Sequence, residues 1–150
     1  MVDEKVSQSS GCKKGVTHPN SRSRNMAAIR SKDTGPEMMV RSLIHRMGYR
    51  FRLHAKDLPG KPDLVFRSHR KAIFVHGCFW HQHPKANCSD SRRPKSNTGY
   101  WQQKLDRNVE RDASHLAALR KMKWKVLVVW DCETSDAGNL QKRLTRFLAP

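Results

Sequence analysis

Residues 71–83 read KAIFVHGCFWHQH. The first half is a short apolar run with β-branched residues and no helical period, which is the pattern of a buried strand. The second half breaks into His76, Cys78, Phe79, Trp80, His81 and His83 within eight residues. A hydrophobic core has no use for three histidines, and a metal site has no use for a Phe-Trp pair. A strand that ends in both needs a function that uses both.

The surrounding pattern builds outward from that strand. Asp63–Phe66 reads as a second strand, joined through the turn RSHR, and Tyr49–Leu53 alternates like a third, with LPGKP as the intervening turn. Upstream, Thr34 is a plausible cap and Pro36 fits a first helical turn. Val40, Leu43, Ile44 and Met47 follow at helical spacing, and Gly48 ends the segment. Downstream, residues 77–98 form a long polar loop, of the kind that is usually functional or metal-braced. Tyr100–Lys121 is a long helix striped by Trp101, Leu105, Val109, Leu116 and Leu119. Trp124–Trp130 is another strand, and Leu140–Leu148 a closing helix. The order predicts an α/β domain with a central sheet over residues 21–150. A short basic helix is expected at Ser21–Arg30, and residues 1–20 are read as a disordered polar leader.

The chain has 30 Lys and Arg against 13 Asp and Glu, a net charge of +17. Self-repulsion of that size calls for a polyanionic partner, and nucleic acid is the first choice. No apolar run approaches the roughly 20 residues that span a bilayer, and the N-terminus has no signal core, so a soluble, cytoplasmic protein is expected. In a reducing compartment its four cysteines are metal ligands or free thiols rather than disulfides. Cys12 stands apart in the leader.

Cys78, His83, Cys88 and Cys132 could hold a tetrahedral, structural Zn²⁺; the bland alternative is buried free thiols. Asp63 is either a turn residue after Pro62 or a carboxylate beside the KAIFVHG strand. Asp112 lies seven residues after Leu105 and four before Leu116, so it points along the apolar stripe of its helix. A carboxylate there needs a partner, and a strand-end histidine, Asn108 or an arginine would serve. Glu37 suits the first turn of its helix through the dipole. Phe79 and Trp80 are either core residues or wedges that unstack a base step.

Five blocks, RNMAAIRSKDTGPE, FRLHAKDLPGKPDLVF, KAIFVHGCFWHQH, NTGYWQQKLDRNVERD and KWKVLVVWDCE, occur in an order and spacing that closely resemble the very-short-patch repair endonucleases of bacteria, over roughly residues 22–133. The resemblance implies a fold like that of type II restriction enzymes of the PD-(D/E)xK kind. It implies a Mg²⁺-dependent nick on the 5′ side of the T in a T·G mismatch left by deamination of 5-methylcytosine. Asp63 then corresponds to the metal-binding carboxylate, with the Val75 backbone carbonyl in place of a Glu-x-Lys pair. Two Mg²⁺ ions could clamp the attacking and leaving oxygens. His81 corresponds to the residue that activates water, Asp112 to its orienting carboxylate, and His76 and Glu37 to supporting groups. Phe79, Trp80 and Met26 correspond to wedges in the DNA. Zinc on Cys78, His83, Cys88 and Cys132 would keep the aromatics rigid. The spacer PKAN between His83 and Cys88 is a departure from the family pattern. The implied enzyme is a monomer in the nucleoid that cooperates with mismatch-repair proteins and a repair polymerase. Two other readings are a restriction-type enzyme cutting both strands and a zinc-braced DNA-binding module without catalysis.

Overall fold

The computed structural model describes residues 32–150. The expected leader, the Ser21–Arg30 helix and Met26 lie outside the described residues. The first helix, α1 (Gly35–Arg46), begins where Thr34 Oγ1 accepts from the Glu37 amide at 3.4 Å. Its last turn leads to Gly48 at φ +86°, a left-handed conformation in which glycine carries no Cβ penalty. Four strands follow: β1 (Arg52–Leu53), β2 (Leu64–Phe66), β3 (Lys71–His76) and β4 (Lys125–Trp130). Between β3 and β4 run the long loop and α2 (Thr98–Lys121), and α3 (Ala137–Leu148) closes the chain.

The sheet has the order β1-β2-β3-β4. The first two pairings are antiparallel and β3–β4 is parallel. Mixed pairing follows from the connections: a short turn can only reverse the chain, whereas a parallel partner needs a crossover such as α2. The period of two sorts the strand residues. Leu64, Phe66, Ile73 and Val129 face one way, into a core with Val40 and Ile44 of α1 and Leu140, Leu144 and Leu148 of α3. Val65 and Phe74 face the other way, with Leu119 of α2, Ala55 and Leu58. Helices thus cover both faces, and β3, buried on both sides, is the continuous apolar run that the sequence displays.

Three expectations need adjusting. The first strand is confined to Arg52–Leu53 rather than Tyr49–Leu53, because Tyr49 and Phe51 turn into the first core, with rings 6.4 and 6.1 Å from that of Phe66. Asp63 precedes β2 instead of opening it. Val109 is 40% exposed, on the flank of the α2 stripe, while Leu105 and Leu119 are fully buried.

A buried lysine ties the layers together. Lys71, 3% exposed, donates from Nζ to the carbonyls of Leu148 (3.2 Å) and Ala149 (2.5 Å), so the C-terminal carbonyls of α3 receive a cation as well as donors.

Candidate active site and metal centre

The sheet carries its chemistry at one end. Asp63 stands just before β2 and His76 at the end of antiparallel β3, so the pairing brings both to the same edge. Asp63 Oδ2 accepts from the Val75 amide at 2.7 Å. In a strand the N–H and carbonyl of one residue point to the same side, so the Val75 carbonyl faces the Asp63 side as well. Two steps beyond the last β2–β3 pair, the register would set Pro62 there, which has no N–H to offer. Burial pushes the Asp63 carboxyl up to about 6; the Val75 amide opposes this and the Glu37 charge adds to it. A buried, inadequately compensated carboxylate beside a strand-edge carbonyl is an oxygen donor set suited to a hard cation such as Mg²⁺.

His81 lies in the turn after β3, its amide donating to the Gly77 carbonyl at 3.1 Å. Its Nδ1 hydrogen-bonds Asp112 Oδ2 on α2. Burial raises Asp112, but the hydrogen bond and charge of His81 outweigh it and hold the carboxyl below its usual value. The His76 ring stacks on His81 at 3.9 Å and 9°. Burial and the neighbouring His81 push His76 down to about 3, so it is neutral at physiological pH. Asp112 therefore takes a histidine of the turn after β3 as its main partner rather than the strand-end His76, and Arg111 stands farther off at 3.8 Å. Asn108, one turn earlier on α2, donates to the Trp80 carbonyl at 3.1 Å and thus holds the loop rather than Asp112. Two successive turns of α2 grip residues 80 and 81.

Cys78, His83, Cys88 and Cys132 place one ligand atom each within 4.8 Å of the others. The parallel register explains half of this. His76 pairs with Trp130, so Cys78 and Cys132 each lie two residues beyond a paired position. His83 Nδ1 is 3.8 Å from Cys78 Sγ and 3.4 Å from Cys132 Sγ. The edge of a tetrahedron around zinc with such ligands is about 3.5–3.8 Å, so the donor set fits the ion in chemistry and in size. Cys88 reaches the group across the PKAN spacer through the turn that closes on Lys85, its amide donating to the Lys85 carbonyl at 3.0 Å. Without a cation, burial pushes the Cys78 thiol up to about 12 and also raises Cys132, while the His83 contact pulls Cys88 down to about 7.

Phe79 and Trp80 stand beside this cluster, partly exposed, with ring centroids 5.1 Å apart. Trp101 at the start of α2 packs against both, at 5.5 and 6.1 Å. Lys104 Nζ lies 5.4 Å from the Trp80 ring and 5.7 Å from that of Trp101. Trp101, expected in the core stripe of α2, instead joins a partly exposed aromatic group, a place that depends on how α2 meets the loop. Gln82 clasps that loop, donating to the Phe79 and Ser91 carbonyls at 2.6 and 3.3 Å and accepting from Arg93 at 2.8 Å. Glu37 is buried at the start of α1 and accepts from Arg41 at 2.8 Å.

A family model described as DNA mismatch endonuclease Vsr matches residues 14–87. The type II nicking enzyme V.XorIIP of Xanthomonas oryzae pv. oryzae is 52% identical over 132 residues, 88% of this chain and 95% of that protein. The type II nicking enzyme V.NmeAIP of Neisseria meningitidis is 40% identical over 123 residues, covering 82% and 86%. The DNA mismatch endonuclease Vsr of Escherichia coli K12 is 42% identical over 111 residues, covering 74% and 69%.

Proposed function

This chain belongs to the Vsr family of DNA mismatch endonucleases, and from that premise we propose that it nicks one strand of duplex DNA on the 5′ side of the T in a T·G mismatch. The observation that carries the reading is the gathering of Asp63, the Val75 edge, the stacked His76–His81 pair and Asp112 at one end of the sheet, beside a partly exposed aromatic wedge. The relatives named as nicking enzymes favour a single-strand cut over the double cut of a restriction enzyme.

Asp63 and the Val75 carbonyl are the groups that would hold Mg²⁺, which when bound offsets negative charge building on the attacked phosphate. His81 has Nδ1 committed to Asp112, which leaves Nε2 as the free lone pair. That nitrogen takes the proton of the attacking water, and Asp112 stabilises the imidazolium that results. Neutral His76, stacked flat on His81, fixes the ring and keeps a second cation out of its space. Glu37 orders water at the Asp63 edge.

Cys78, His83, Cys88 and Cys132 would hold a structural Zn²⁺ with no open position. The wedge hangs directly from these ligands, so Phe79, Trp80 and Trp101 meet DNA already ordered and bind without that entropic cost. Lys104 supplies charge beside the rings. A wobble pair stacks less well than a Watson–Crick pair, so inserting the rings costs less there, and the difference becomes selectivity. Met26 would add a second wedge.

The test is an end-labelled duplex with one T·G mismatch, run with Mg²⁺ beside its fully paired counterpart. A single cut 5′ to the T on the mismatched duplex alone is the expected result. Cutting of both duplexes on both strands would replace this reading with the restriction type, and binding with no cut would replace it with a non-catalytic module.

A further inference from the structure

Asp33, Glu37 and His54 bring two carboxylates and an imidazole within 4.8 Å of one another, a set that could hold a cation. Its centre is already filled. Arg41, one turn beyond Glu37 in α1, donates from Nη1 to Asp33 Oδ1 at 2.5 Å, and from Nη2 to Glu37 Oε2 at 2.8 Å and His54 Nε2 at 3.0 Å. The Asp33 amide also donates to Glu37 Oε2, at 3.0 Å.

Arg41 is only 9% exposed, and its Nε has no partner among the described residues. Burying an unpaired N–H costs free energy, so the side chain is kept there by what its two Nη groups hold. A guanidinium stays charged at every working pH and has no acceptor. His54 Nε2 must therefore accept, which puts the ring proton on Nδ1. That nitrogen faces Asp63 Oδ1 at 3.9 Å. Hydrogen bonds join Glu37, Arg41 and His54, and the His54 ring stands 3.9 Å from the carboxylate assigned to the metal.

We infer that the Arg41 guanidinium is the second cation of this catalytic site, so that the chain takes one divalent ion at Asp63 instead of the two its sequence leads one to expect. Arg41 is on this account a positioning residue. Its planar fork fixes Glu37 and the tautomer of His54, and its charge occupies the place where a second ion would find its carboxylates. The inference rests on the metal-dependent nicking reading above.

The experiment counts Mn²⁺ by electron paramagnetic resonance on the full-length, zinc-loaded chain bound to a T·G duplex that has already been nicked, with ions held by the duplex alone subtracted. The native chain should hold one Mn²⁺, lost in Asp63→Asn. Arg41→Met should hold two, and Arg41→Lys, which keeps the charge, should return to one. The Hill coefficient for Mg²⁺ in nicking should rise from about 1 to about 2 in Arg41→Met. Two ions on the native chain would overturn the inference whether or not Arg41→Met folds. One ion on an Arg41→Met protein that melts like the native would also overturn it. A native chain whose bound ion survives Asp63→Asn would sink the metal role of Asp63, and this inference with it. The nicking assay on intact T·G duplex shows separately whether the enzymatic reading itself stands.

Discussion

Asp63 carries a charge where the protein alone does not favour one. An unfolded aspartate titrates near about 3.9, and burial moves the native group to about 6. Between those values the native state holds the extra proton, so this group's contribution to stability falls as pH rises through the window. Above it the metal-free fold bears the cost of the buried anion. Asp63→Asn should therefore raise the melting temperature of the metal-free protein, by an amount equivalent to about 3 kcal/mol at neutral pH, while abolishing nicking and sparing DNA binding. A variant that still nicks at the native rate would remove Asp63 from the reaction. The same proton competes with Mg²⁺. The Mg²⁺ concentration for half-maximal nicking should rise about fivefold between pH 6 and pH 5 and change little above pH 7; a flat profile would mean that another ligand set holds the ion. His81→Ala should lower the single-turnover rate by about 10²- to 10⁴-fold, the range for loss of a general base, with the affinity for duplex unchanged. The inward aim of Asp112 was legible in the sequence because Leu105 and Leu116 set the phase of its helix. The Arg41–His54 contact was not, because it joins the middle of a helix to a loop 13 residues away and no periodicity links them.

Among the elements, β3 and β4 were readable from their apolar runs, and α1 from its cap and spacing. What the sequence could not supply was their relative register, and the gathering of the four Cys and His side chains depends on it. Cys78 and Cys132 come into step only because β3 and β4 are parallel and His76 pairs with Trp130. The PKAN spacer before Cys88 departs from the family pattern, and the turn at Lys85 takes up its residues. Cys132→Ala should cost about 3 kcal/mol and lower the melting temperature by about 10 °C in a domain of this size. Chelation should have a comparable effect, and an unchanged melting curve after zinc removal would show that the cluster does not brace the fold. On the opposite face, Leu144 is fully buried between α3 and the sheet. Leu144→Ala should destabilise by about 2–5 kcal/mol without altering the preference for a mismatch, which separates packing defects from site defects. Phe79→Ala should do the reverse, reducing the ratio of T·G to C·G cleavage while stability stays within about 1 kcal/mol. An unchanged ratio would mean that the aromatic cluster is core, the alternative the sequence left open.

At the scale of the whole molecule, the net charge of +17 dictates how binding responds to salt. Six to ten neutralised phosphates would weaken binding by about 10³- to 10⁵-fold between about 50 and 200 mM salt, for matched and mismatched duplex alike; a shallow slope would mean that the charge serves something other than DNA. The helices on both faces and the chemistry at one sheet edge give a division of labour that composition alone could not show, since it depends on which ends of antiparallel β2 and β3 coincide. The parallel pairing of β3 with β4 also has a bearing on synthesis. Asp63, His81 and the aromatic pair emerge from the ribosome well before Cys132, and the carbonyls that receive Lys71 come later still. On the roles proposed above, a growing chain carries its cutting residues for tens of codons without the strand that holds them in place, and the competence to break DNA arrives together with the completed fold.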